Sequence, residues 1–582
     1  IVIGVTPITG LTVSAAAADD VWDGTKASQA WESGGGTAAD PYVIMTAAQL
    51  AKLASNVNSG TKYNDVYFTL GANLDLNGSA KSWTSIGTSS SKYYFDGYFD
   101  GNNKTISNIS KVSKNALFGY IGTNGKLTNL NVSNVTITSG SYAAGIVYYN
   151  KGTIENCTIS NSAITTTSYA AGIVIDNYGT VTGCTASNVS ISSVFIAAGL
   201  VAQNEGTIAN CNVTSGTVTG SNPGTTNDSW VGGICGVSRG GTISGCSNAA
   251  TVSANAGRYC AAAGIVAGPN KNGSNQSVQV TECANTGNIN SSIYAGGISG
   301  RYNASVYVKI SHSFNTGTIS GSNAGGIAAA RPYNSSDKII NCYNAGSVTG
   351  TSYAGGIAGN GGNGIVENTH NYAKVVSDGV AGYIVASDAG SWPGKNKLVN
   401  NHAIEGNVEA PSICRYLDSK DVQNSTQAVT VGSTVEEFKN GTIYELLQNA
   451  NGSNQVWGQT IGTDNYPVFF NGTNLPVAHT HEFTYAANNN IITETCVNGC
   501  EHTETATLNA PTSEIVYDGT SKESATVSYS EGWQGGELAI VYENNKNAGT
   551  ATAKIQKEGA IASVNFVIKA AEPNEEIPSS LV

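Results

Sequence analysis

The densest cluster of chemistry-bearing side chains in this sequence is the stretch HTHEFTYAANNNIITETCVNGCEHTETA. It sets His479, His481, Cys496, Cys500 and His502 around a predicted hairpin that turns at ANNN. Two thiolates with one or two imidazoles would complete a tetrahedral structural zinc site. The C-x3-C spacing is looser than the usual C-x2-C, and a Cys496–Cys500 disulfide beside solvated histidines is the alternative. Either is a structural staple, since four protein ligands leave no open position for a substrate. A second set, Cys157, Cys184, Cys211, Cys246, Cys283 and Cys342, shares one repeated position with Ser313, Thr369 and Asn401. Stacked residues lie about 4.8 Å apart, whereas a disulfide draws its Cβ atoms to about 3.5–4.5 Å with a twisted geometry. These six therefore read as reduced, buried thiols packing as small apolar groups. Secreted cysteines usually pair, so this reading suits export into an anaerobic habitat.

Three further sets deserve the same question. Asp96 and Asp100 in FDGYFDG could hold a cation or act as acid and base, but Asp-Gly is ordinary turn chemistry. Arg301 and Arg331 occupy nearly equivalent repeat positions, yet no group of Asp or Glu shares their face. A lyase or hydrolase needs acidic and basic groups converging on one cleft, and no H-E-x-x-H occurs. Tyr142, Tyr169, Ile196, Trp230, Ala261, Tyr294, Asn323 and Tyr353 each precede a recurring glycine by three residues. Such a stripe could stack on sugar faces. Strand alternation, however, puts Tyr142 on the side of Ile146, which predicts core or corner packing. The chain reads as non-enzymatic, with a carbohydrate-active enzyme as the competing class.

What must position these residues is a repeat. SYAAGIV occurs at 141–147 and again at 168–174. Aligning on AGI gives a column of Gly119, Gly145, Gly172, Gly199, Gly233, Gly264, Gly297, Gly326, Gly356 and Gly382. A fixed unit with variable insertions marks a stacked architecture. Ile154, Val181, Ile208, Ile243, Val280 and Ile310 each lie three residues before the cysteine position. Another branched residue follows that position by six or seven: Ile164, Ile191, Val218, Val252, Ile289 and Ile319. Three short β-rich pieces per unit, broken by Gly, Asn and Ser, leave no room for a helix. The fold class this predicts is all-β, a right-handed parallel β-helix. Exposed strand edges need covering, and two helical patterns are placed to do it. TAAQLAKLASNVNSG has Thr46 as N-cap with Leu50, Leu53 and Val57 on one face, and STVEEFKNGTIYELLQNA carries a capping box from Ser433 to Glu436.

Charged residues are 12% of the chain, about half of the roughly 25% usual in soluble proteins. A net charge of −12 with only Arg239, Arg258, Arg301, Arg331 and Arg415 offers no footprint for nucleic acid. IVIGVTPITGLTVSAAAADD has the apolar stretch and A-x-A site of the back half of a signal peptide. No other apolar run approaches the ~20 residues of a membrane span. The expected organisation is a signal-peptide remnant at 1–18, a capping segment at 19–60, β-helix repeats at 61–430 and a second cap at 431–472. A His/Cys hairpin module at 473–507, an Ig-like β-sandwich at 508–571 and a linker at 572–582 follow. Both ends read as truncated.

LFGYIG (117–122), YAGGISG (294–300) and YAGGIAGN (353–360) resemble the motif of the GLUG-repeat proteins of Gram-positive gut bacteria. DPYVIMTAAQLAKLA, FDGYFDGNNKTISNI and VWGQTIGTDNYPVFF look like the opening and close of such a region, and the resemblance covers about 38–472. YDGT and NNKNAGTATAKI resemble the Ig-like modules of bacterial surface proteins. The resemblance implies an exported, adhesin-like surface protein whose loops bind glycans or host proteins, or a stalk for further domains. The corner loops at 220–230, 268–277 and 331–337 are the expected recognition surface.

Overall fold

A computed structural model describes residues 20–572 apart from 29–30, 32, 90, 111, 113–115, 223–227, 257–258, 270–276, 302–306, 331–336, 361–363, 387–397, 415–431, 475–481, 498–502 and 531. The chain divides into two compact units, Ile1–Val435 with Leu446–Val456, and Glu436–Glu445 with Trp457–Val582.

The first unit is an all-β parallel solenoid. One coil shows how it is built. Thr153–Glu155 lies between Lys126–Thr128 and Thr180–Thr182, all parallel, so that Leu127, Ile154 and Val181 stack. Thr158–Thr166 lies in the same way between Asn131–Ser139 and Thr185–Ser193. Val174–Asn177 completes the coil between Val147–Asn150 and Val201–Asn204. The face that holds Thr153–Glu155 is a 13-stranded sheet, from Tyr42–Ile44 to Leu398–Val399. Tyr42–Ile44 pairs with Tyr67–Leu70, and Asp20–Val21 with Leu74–Asp75, so the solenoid takes up strands ahead of residue 61.

The sequence columns are the inward rows. Ile154 and Cys157 are three residues apart and both fully buried, because the chain turns a corner between them. The residue that turns it has left-handed backbone, φ 52° at Asn156, 62° at Gly183, 52° at Asn210 and 60° at Gly245. Asn and Gly are the types that tolerate this region. Each thiol then finds a nearby carbonyl: Cys184 donates to Thr182 O at 3.3 Å and Cys211 to Ala209 O at 3.1 Å. Ser313 makes the same bond to Ser311 O at 2.9 Å, which explains why serine can stand in this column.

The next corner is made in two ways, and this accounts for the spacing of six or seven. Where seven residues separate Cys157 from Ile164, Asn161 takes a left-handed turn at φ 49°. Where six separate Cys283 from Ile289, an inward asparagine replaces the aliphatic residue. Asn248, Asn285, Asn315, Asn344 and Asn371 form a buried ladder, each Nδ2 donating to the next Oδ1 at 2.8, 2.7, 2.8 and 2.8 Å. Each also donates to the carbonyl two residues on, as Asn285 does to Gly287 O at 2.8 Å, and so holds the tighter turn. A shorter ladder, Asn150–Asn177–Asn204, has links of 2.8 and 2.8 Å.

The AGI glycines stack with no room for a side chain. A Cβ on Gly172, Gly199, Gly233 or Gly297 would overlap the carbonyl oxygen of the next glycine in the column. From Gly145 to Gly356 each coil repeats the glycine so that its neighbour can approach, which is why the heptad is written twice; the predicted column is corrected at its ends, since Gly382 pairs with Gly355 and Gly119 lies opposite Tyr148.

The helix α1 (Ala47–Asn58) begins at Thr46, whose side chain accepts from Gln49 N while Gln49 Oε1 accepts from Thr46 N at 3.2 Å. Leu50, Leu53 and Val57 join the solenoid core. The second helical pattern corrects the sequence reading. Ser433 bridges to Ile404 as strand, and the pattern splits into α2 (Val435–Lys439) and α3 (Thr442–Asn449). Gly441 at φ 95° breaks it, and Asn440 Oδ1 accepts from Thr442 N at 3.0 Å.

In the second unit Phe483–Asn488 and Ile491–Cys496 form an antiparallel hairpin turning at Asn489, φ 53°. It continues into a four-stranded sheet with Thr503–Asn509 and Thr526–Tyr529. A second four-stranded sheet holds Ile515–Val516, Ala560–Lys569, Gly549–Lys557 and Val541–Glu543. Ile492, Ala506 and Leu508 of the first share one core with Ala553, Ile555 and Phe566 of the second. The hairpin is thus built into the same two-sheet body as residues 508–571.

Candidate functional site

The sequence YAAGI buries two successive alanines, and this is the local signal of a site. Ala143 and Ala144 are both inaccessible, so both faces of their strand are covered. Ala143 faces the solenoid core with Ile146. Ala144 belongs to a separate apolar cluster on the outside, with Ile175, Ile196, Ala202, Trp230 and Val237. Tyr142, Tyr148, Tyr169, Phe195 and Tyr294 are partly buried against it. The expectation that Tyr142 shares the side of Ile146 is therefore corrected. Ile146 and Val147 both face inward at the corner, which resets the alternation. The aromatic stripe lies in a crease where two faces of the coil meet at a re-entrant angle.

Register carries the stripe along the rod. Tyr142 pairs with Tyr169, Tyr169 with Ile196, Ile196 with Trp230, Trp230 with Ala261 and Ala261 with Tyr294. Five such steps span roughly 24 Å. The ring centroids of Tyr142 and Tyr169 are 4.8 Å apart, and Tyr148 closes on Tyr142 at 6.2 Å from the opposite wall. Trp230 lies across Gly268, where a Cβ would meet the indole, its Cη2 at 3.2 Å. Between these walls is a hollow of about 340 Å³ lined by Tyr142, Tyr169, Phe195, Trp230, Asp228 and Arg239.

Charge gathers beside the hollow. Glu205 Oε1 lies 3.8 Å from Arg239 Nη1. Asp176 stands in the row that continues through Gln203 and Val237, one residue per coil. Burial pushes the Asp176 carboxyl up to about 6; Arg239 opposes the shift and Glu205 adds to it. Burial and the nearby Asp176 carboxylate raise the Tyr148 phenol to about 12. Gln203 is 4% exposed and its Nε2 has no hydrogen-bond partner among the described residues. Apolar platforms with a few charged groups at the rim are the make-up of a small-ligand groove. Asp176, Glu205 and Arg239 carry no local motif, so the sequence alone did not single them out.

The residues singled out by type fare differently. His479, His481, Cys500 and His502 lie outside the described residues; Cys496 ends its strand with its side chain buried. Among the described residues no three His, Cys, Asp or Glu gather as a metal site. Cys157, Cys184, Cys211, Cys246, Cys283 and Cys342 are buried without disulfides. Burial raises the Cys342 thiol to about 12, away from a reactive thiolate. Asp96 anchors turns, accepting from Asn64 Nδ2 at 2.7 Å and Asn124 N at 2.9 Å. Asp100 accepts from Asn102 N at 2.9 Å and Asn129 Nδ2 at 3.0 Å. Arg301 stands at the crease beside Tyr259 and Tyr294. Arg331 and most of the three corner loops lie outside the described residues. No described helix is long and apolar enough to cross a membrane.

No family model matches the chain. A stretch of 141 residues is 33% identical to halomucin of Haloquadratum walsbyi, covering 22% of this chain and 2% of that protein. The chain therefore spans a small fraction of the curated relative it matches. A solved structure from Bacteroides ovatus, provisionally described as an immunoglobulin A1 protease, superposes on 75% of this chain and 95% of its own at 18% identity and a TM-score of 0.25. A likeness at that score carries neither fold nor activity to this chain.

Proposed function

We propose that the protein is a non-enzymatic, adhesin-like β-solenoid of the bacterial cell surface that binds glycans along the aromatic crease. The observation that carries this reading is a row, one position per coil, that holds Tyr142, Tyr169, Trp230 and Tyr294 among Ile196 and Ala261, with Tyr142, Tyr169 and Trp230 lining a hollow with a charged rim. Tyrosine and tryptophan rings offer apolar faces to sugar rings, and the Asp176, Glu205 and Arg239 groups can order their hydroxyls. The crease, rather than the corner loops, is the proposed recognition surface. Export, membership of the GLUG-repeat proteins, helical covering of the solenoid ends, a structural zinc or disulfide at Cys496 and Cys500, and an Ig-like second unit belong to the same proposal.

A glycan array probed with the full chain tests it. Binding that Trp230→Ala and Tyr169→Ala each weaken at least tenfold supports the reading; no binding, or binding that both variants keep, overturns it. One observation favours a carbohydrate-active enzyme as the second reading. Asp176 is a carboxyl held near 6 with Glu205 close by, the pattern of an acid–base pair. Product analysis on any bound glycan decides between them: turnover lost in Asp176→Asn establishes the enzyme, and bound glycan recovered intact establishes the adhesin.

A further inference from the structure

We infer that Arg301 forms an anion subsite in this crease, so that the glycan it takes carries carboxylate or sulfate groups. This rests on reading the crease as a glycan groove and adds the chemical class of the ligand.

The guanidinium lies 4.2 Å from the ring centroid of Tyr259 and 5.7 Å from that of Tyr294. A guanidinium on a tyrosine face is weakly hydrated and keeps its in-plane N–H donors free at the edge, the geometry that takes a carboxylate or sulfate bidentately. Among the described residues no carboxylate forms an ion pair with it. The other described groove arginine, Arg239, is already beside Glu205. The Arg301 backbone is fixed in the coil, its N–H donating to Ala267 O at 3.0 Å.

Its place in the fold joins it to the aromatic platform. Ser299 bridges to Val266, and Val266 pairs with Cys235, which puts Arg301 in the row of Gly268, Val237, Gln203 and Asp176. Gly268 is the residue on which the Trp230 indole lies, so the Arg301 backbone stands one coil, about 4.8 Å, beyond it, and the guanidinium reaches back over Tyr259 of the Gly268 coil. Asp176 is four coils away at the opposite end, roughly 19 Å. The groove is therefore polarised, with Asp176 and Glu205 at one end, Asp228 in the lining between, and at the other end a cation that no carboxylate among the described residues pairs with. An acidic glycan gains at the Arg301 end and is excluded from the Asp176 end, which fixes its position and direction.

The experiment measures binding of the full chain to matched pairs: polygalacturonate against its methyl ester, chondroitin sulfate against desulfated chondroitin, and sialylated against desialylated mucin. The expected result is at least one acidic member bound about tenfold or more above its neutral twin. Arg301→Gln should abolish that preference and Arg301→Lys should keep only part of it, with unchanged melting curves. Trp230→Ala should weaken acidic and neutral members alike. The pair that responds tells carboxylate from sulfate. Equal binding of both twins, or a preference that Arg301→Gln retains, overturns the anion subsite while leaving the groove standing. No binding to any of them overturns the groove reading and this one with it. Binding of poly-glutamate in place of the glycans overturns the assignment to sugars.

Discussion

Gly199→Ala isolates the physical reason for the repeated AGI. A Cβ at this position would overlap Gly233 O and come within 2.7 Å of Val213 Cγ2. Both neighbours belong to rungs that are themselves held on each side, so the coil cannot yield without opening its ladder. Overpacking of a tight site costs about 1–3 kcal/mol. Distortion of the Gly199 N to Gly232 O bond, 3.1 Å long, adds about 1 kcal/mol. The expected total is about 2–4 kcal/mol. Because a solenoid coil contacts chiefly its neighbours, the loss should be local. Urea unfolding followed by hydrogen exchange should show it as reduced protection at the coils around Gly199 and Gly233, with coils near Gly326 unaffected. Gly140→Ala is the control, since a Cβ there has open space and the backbone is not left-handed. Equal effects of the two substitutions, or full exchange protection at Gly233 in Gly199→Ala, would refute the steric account.

Other perturbations follow from the same coordinates. Replacing Asn315 by Leu removes the acceptor of Asn285 Nδ2 and the donor to Asn344 Oδ1 and Gly317 O. It should lower stability by about 2–4 kcal/mol in urea titrations, and a smaller loss than an ordinary surface change would count against the ladder. Asp176 has its carboxyl raised from 3.8 to about 6 by burial. Between those values the folded chain binds more protons than the unfolded, so this group's stability is lost as pH rises from about 4 to about 6, by at most about 3 kcal/mol. Asp176→Asn should remove that slope; a wild-type-minus-variant difference that is flat with pH would contradict it. The thiols of the Cys157–Cys342 column should resist alkylation in the folded chain and react fully in urea without reductant. Mass spectrometry that finds bridges between neighbouring coils would contradict their packing.

Much of this architecture is legible because stacking writes itself into the sequence. A residue that contacts its own counterpart one coil away must be matched there, so Ile154, Val181 and Ile208 appear as a column before any coordinates are known. The Asn or Gly ahead of Cys157, Cys184, Cys211, Cys246 and Cys342 is legible for the same reason, once its left-handed turn is recognised, whereas Glu282 takes the same turn ahead of Cys283 without that mark. The asparagine ladder was also present, in the change from seven residues to six, but a buried polar row looks like a loop residue until its partners are seen. The break at Gly441 was hidden because the helical pattern continues on both sides of it.

By itself the sequence determined a parallel stack of β-coils with glycine and cysteine rows, since each of these is a demand one coil makes on the next at a fixed distance along the chain. Only the tertiary structure decided which way the tyrosine stripe faces, because two inward residues at a corner reset an alternation that strand logic carries straight through. It also decided that Asp176, Glu205, Arg239 and Arg301 share one crease. Their association runs across coils, between unlike residues at unmatched offsets, where no repetition in the chain marks it.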